Sequence, residues 1–150
     1  MKRLKIIQDI GKLFGKSAEA TQWYERTKLE YLQLTQWVEQ VKESAFFLPK
    51  AEININDPIL RAFLEDAGAE VDVLGDRNPE RPMFRLVNTE GGPWYTLDKR
   101  TNQSGYSDYD SAGVIYPQWV LEDLVRLFYT DAPTEELYFI KPYQDSGNEQ

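Results

Sequence analysis

The chain has 150 residues, 41% hydrophobic and 28% charged, and a formal net charge of −8. That is long enough for one domain with a buried core, and the composition is that of a folded protein rather than a disordered one. With no Cys and no His, thiol nucleophiles, Ser-His-Asp relays, His bases, haem or iron–sulfur ligation and ordinary zinc sites are excluded.

The charge is unevenly placed. Residues 1–16 hold Lys2, Arg3, Lys5, Lys12 and Lys16 against Asp9 alone, a net of +4, so the remainder carries −12. An acidic body is a poor ligand for nucleic-acid phosphates and a good one for a basic protein surface. No apolar run approaches the length of a membrane span, and no secretory leader is expected at the N-terminus. The lack of disulfides suits a reducing compartment, and a cytoplasmic location is expected.

In chain order, residues 1–15 place Ile6, Ile7, Ile10, Leu13 and Phe14 on one helical face, with the lysines mostly elsewhere. This basic amphipathic helix is expected to fold back on the next one, with Gly15 separating them. The alternative is that residues 1–16 lie on an anionic membrane or in a partner's groove. Residues 17–45 contain no Gly or Pro. Ala20, Trp23, Tyr24, Thr27, Tyr31, Leu34, Val38, Val41 and Ala45 recur at helical spacing, which predicts one long helix. Leu29 and Leu32 fall outside that stripe and Trp37 lies at its edge. The expectation is a long helix sandwiched between the sheet and the first helix; another subunit, as in a homodimer, or a partner is the alternative cover. Phe46, Phe47 and Leu48, ended by Pro49, read as a helix exit tucked into the core.

From residue 51 the period changes to two. Ile53 and Ile55 share a face of a short strand. Asp57-Pro58 is a helix start, followed by the stripe Ile59, Leu60, Phe63, Leu64 and Ala67, with Gly68 as its terminator. Residues 69–74 alternate again, with Val71 and Val73 expected inward. A turn over 75–79, a strand over 83–87, a glycine-rich hairpin over 88–93 and a return strand over 94–97 follow. Residues 99–113 read as a polar loop, and Val114-Ile115-Tyr116 as a buried strand end. Pro117 opens a helix to about Thr130, residues 137–140 read as a last strand, and 145–150 as a disordered tail. The fold class is therefore α+β: a single domain over 1–144, with a small antiparallel or mixed sheet packed on the long N-terminal helix and the C-terminal helix.

Among the motifs, the loop over 99–113 and its flanks stand out. Trp94, Tyr95, Tyr106, Asp108, Tyr109 and Asp110 combine rigid aromatic contact area with charge, and Asp98, Tyr116 and Trp119 lie close by. A carboxylate-dependent hydrolase acting on a carbohydrate would draw its acid pair from Asp98, Asp108, Asp110, Glu90 and Glu122, but no spacing selects a pair. Asp108-Tyr109-Asp110 offers too few oxygens for calcium or magnesium, so no metal is expected. No phosphate-binding glycine loop occurs, and no cofactor is expected. Arg77, Arg81, Arg85, Lys99 and Arg100 are expected to neutralise acids on neighbouring strands rather than form a basic stripe.

The reading points to a non-enzymatic acidic protein that binds another protein with a basic surface, as an inhibitor, immunity-type protein or assembly adaptor of bacterial or phage kind. The aromatics would anchor the partner and the aspartates would steer it. A carbohydrate hydrolase and a peripheral membrane or scaffold protein tethered by residues 1–16 are the alternatives.

Overall fold

The computed structural model describes residues 5–44, 48–75, 82–87, 92–130 and 134–143. Helix α1 (Lys5–Leu13) and helix α2 (Ser17–Ser44) form an antiparallel hairpin. Gly15 takes φ +66°, and the Lys16 amide donates to the Gly11 carbonyl at 2.7 Å. This is a glycine-dependent helix stop. The α2 boundaries and stripe agree with the heptad-like spacing. Ala20, Thr27 and Val38 are buried, and Trp23, Tyr31 and Leu34 are half-buried.

Strand β1 (Lys50–Ile53), helix α3 (Pro58–Asp66) and strand β2 (Glu70–Val73) form a parallel β–α–β unit. Asp57 caps α3, its Oδ1 accepting from the amides of Ile59 at 2.8 Å and Leu60 at 3.0 Å, and Pro58 fills the first helical position. Strands β3 (Phe84–Leu86), β4 (Trp94–Thr96) and β5 (Lys141–Pro142) add on antiparallel, giving a mixed five-stranded sheet in the order β2-β1-β3-β4-β5. The single-turn helix α4 (Ala112–Ile115) leads into α5 (Pro117–Tyr129). The fold class is α+β, as the alternation of periods predicts.

The core joins Ala51, Ile53 and Phe84 from the sheet to Leu60 and Leu64 of α3 and Val120, Leu121 and Leu124 of α5. Helix α2 reaches this core chiefly by packing on α5. At the meeting point of α2, α3 and α5, Gly68 has φ +88°. A Cβ there would lie 2.4 Å from the Tyr129 hydroxyl and 2.8 Å from the Val38 side chain. Both the backbone conformation and the space therefore require glycine.

Several expectations are corrected. Residues 114–116 are not a strand end: Ala112–Ile115 coil as one helical turn, and the Tyr116 amide bonds back to Ala112. The turn is set by packing, since a Cβ on Gly113 would sit 3.0 Å from the Tyr109 ring. The last strand begins at Lys141, not at 137. The amides of Tyr138 and Phe139 donate instead to the buried carboxylate of Asp123, at 2.8 and 2.6 Å. Burial pushes the Asp123 carboxyl above the usual carboxylate range, while those backbone donors and Lys99 pull it back. Val73 is exposed, because β2 is the outermost strand and Val73 is its last residue. Leu48 is exposed rather than tucked into the core. The readings at Ala45, Phe46, Phe47, residues 76–79 and 88–91, and the tail over 145–150 lie outside the described residues.

Candidate binding surface

The loop after β4 is a built structure. Thr101 bridges Ser107, and the Asn102 side chain accepts from the amides of Ser104 at 2.9 Å and Tyr106 at 3.1 Å. Gly105, at φ +80°, closes the turn with its amide on the Asn102 carbonyl. Ser107 caps a 3-10 turn (Asp108–Asp110), its Oγ accepting from the Tyr109 amide.

The loop divides the candidate residues. Tyr106 is 70% exposed, Asp110 is exposed and Asp108 half-buried. Tyr109 turns inward and packs between Phe63 and Phe139, each 6.4 Å away between ring centroids. Tyr95 also faces the core, stacked on Phe84 at 5.4 Å, and burial raises its hydroxyl pKa. Trp94 points to the opposite sheet face, under the Arg85 guanidinium at 5.1 Å. Strand alternation alone separates Trp94 from Tyr95, so the six residues do not form one continuous surface.

The basic residues of this region are individually occupied. Arg85 pairs with Glu52 across the sheet. Lys99 donates to the carbonyls of Thr134 (2.8 Å), Glu135 and Leu137. Arg100 lies 3.6 Å over the Tyr138 ring. They hold segments together and do not form a stripe, whereas Arg77 and Arg81 lie outside the described residues. Of the acids considered for hydrolysis, Asp98 pairs with Lys141 at 3.4 Å and Glu90 lies outside the described residues.

A second surface lies where α2 crosses α5. Glu30, Gln33, Leu34 and Trp37 face Gln118, Trp119 and Glu122 across an open cleft of about 430 Å³. Gln118 is only 6% exposed. Its amide donates to Glu30 at 3.2 Å, while its buried Oε1 accepts no hydrogen bond from the described residues. The other oxygen of Glu30 takes an exposed ion pair from Arg26 at 2.9 Å. Among the described residues no lysine or arginine lines the cleft. From it runs an aromatic ladder: Trp119 stacks on Tyr116 at 4.2 Å and 10°, Tyr116 meets Trp23 edge-on at 5.8 Å, and Trp119 contacts Tyr138 at 4.9 Å.

Sequence reasoning missed this cleft, because Glu30 and Gln118 meet across 88 residues of chain. The traceable signals were Trp37 at the edge of the α2 stripe and the Tyr116–Trp119 pair beside the loop. Two indole walls, two carboxylates and two amides suit a flat or extended cationic side chain, which gains from both the rings and the acids. Among the described residues no group of acids could hold a metal ion, and no described helix is long and apolar enough to cross a membrane. No known family model matches this chain, and neither the curated proteins nor the solved structures compared with it contain a match.

Proposed function

We propose that the protein is a non-enzymatic binding protein that grips a basic segment of another protein, in the manner of an inhibitor, immunity-type protein or assembly adaptor. The observation that carries this reading is the α2–α5 cleft. It is lined by Trp37, Trp119, Glu30 and Glu122, with no lysine or arginine among its described lining residues. An arginine or lysine of the partner, laid on the indoles, would meet Glu122 and the exposed side of Glu30. Asp108 and Asp110 add negative charge on the loop surface, and Tyr106 an exposed ring, which favour encounter more than residence.

The test is capture from a lysate of the native host with three baits: the wild type, Trp37→Ala with Glu122→Lys, and Tyr106, Asp108 and Asp110 all changed to Ala. The reading expects a basic protein to be retained by the wild type, lost with the cleft variant and weakened with the loop variant. Retention by the cleft variant with loss in the loop variant would move the site back to the loop. Retention by both folded variants would overturn the proposal.

A further inference from the structure

Helix α1 does fold back on α2, but not with its apolar face. The contact runs along the edge marked by Gly11, which is buried. A Cβ on Gly11 would lie 2.4 Å from that of Ala20. The apolar arc beside this edge stays outside: Ile6 is 57% exposed, Ile10 48%, Leu13 84% and Phe14 76%. Three large apolar side chains on one short helix and a fourth, Phe14, in the turn after it are far more than the scattered exposure of an ordinary surface.

Lys5 and Lys12 share the polar flank of α1 with Asp9, on the other side of the Gly11 contact from the apolar arc, and Lys16 follows on the next turn. Their ion pairs, Lys12 with Asp9 at 3.4 Å and Lys16 with Glu19 at 3.3 Å, are exposed and easily exchanged. An apolar arc on a helix whose polar flank is net basic, on a chain that is otherwise acidic, matches the chemistry of an anionic bilayer: apolar side chains enter the acyl boundary and the long lysines reach round to the headgroups. A second copy would cover the apolar arc but leave the basic flank without a use. We infer that α1 is a peripheral anchor that lays Ile6, Ile10, Leu13 and Phe14 into an anionic lipid surface. The −12 of the rest of the chain is repelled by that surface, so the body stands away from the bilayer with the α1–α2 hairpin nearest to it. This inference does not depend on the protein-binding reading.

A single short helix makes such binding weak, reversible and sensitive to salt. The experiment is flotation of the full chain with vesicles of phosphatidylcholine containing phosphatidylserine, against phosphatidylcholine alone. The expected result is binding to the anionic vesicles, release in high salt, and at least tenfold weaker binding for Leu13→Glu with Phe14→Glu. Circular dichroism should be unchanged, because both side chains are already in water. Lys5→Glu with Lys12→Glu is a second route to the same loss. Binding of the full chain to neither vesicle, or binding that survives both variants, would overturn the inference. Concentration-dependent dimerisation abolished by Leu13→Glu with Phe14→Glu, without lipid binding, would assign the face to a second copy instead.

Discussion

Gly68 and Gly11 are two places where an added Cβ would meet a packed neighbour at 2.4 Å, and the two are used differently. At Gly68 the approach of α2 and α5 seals the core: Val38 and Tyr129 close over it, and the Tyr129 hydroxyl donates to the Ala67 carbonyl at 3.1 Å. At Gly11 the approach of α1 and α2 seals nothing, because the large side chains of α1 lie to one side of the contact. Close helix contact is therefore not a measure of how much apolar surface leaves water. A glycine at a crossing can build a core, or it can hold a helix in place while its apolar arc stays available.

That contrast can be broken at its strongest point first. Phe84→Ala empties a site of zero exposure between Ile53 and Tyr95. It should cost about 3–5 kcal/mol, read as a lower midpoint of urea unfolding. Gly68→Ala should cost about 2–4 kcal/mol, from a left-handed backbone that alanine resists and from contact with Tyr129 and Val38. The same measurement checks it, and Tyr129→Phe combined with it should recover none of the backbone part. Phe14→Ala, the same truncation as Phe84→Ala made on the α1 arc, should change stability by no more than about 0.5 kcal/mol. A cost near that of Phe84→Ala would show that α1 belongs to the core and would erase the contrast.

Local rules carried much of the fold. Asp57-Pro58 announces α3 because cap and proline act within one turn, and the uninterrupted stripe of residues 17–44 announces α2 because its period needs no distant partner. Gly15 and Gly68 announce helix ends for the same reason. Distant contacts decided the remainder. The run 114–116 has the look of a strand, yet the Tyr109 ring against Gly113 fixes it as a helical turn. Residues 137–140 alternate acceptably for a strand, yet Asp123 takes two of their amides first. The candidate loop was legible as aromatic and acidic, but not which rings would be spent inside: Tyr109 and Tyr95 are, Tyr106 is not. The α2–α5 cleft was hidden because its two walls are remote in the chain and neither carries a motif.

The outermost strand has a consequence of its own. β2 ends the sheet on one side, so its free edge offers backbone groups to any strand that drifts near. Glu70 and Asp72 alternate along it, both exposed. An incoming copy would have to set its own carboxylates beside these, a like-charge clash that discourages edge-to-edge joining. Among the described residues, Asp72 and the Lys50-paired Glu70 are the charges an edge-to-edge neighbour of β2 would meet.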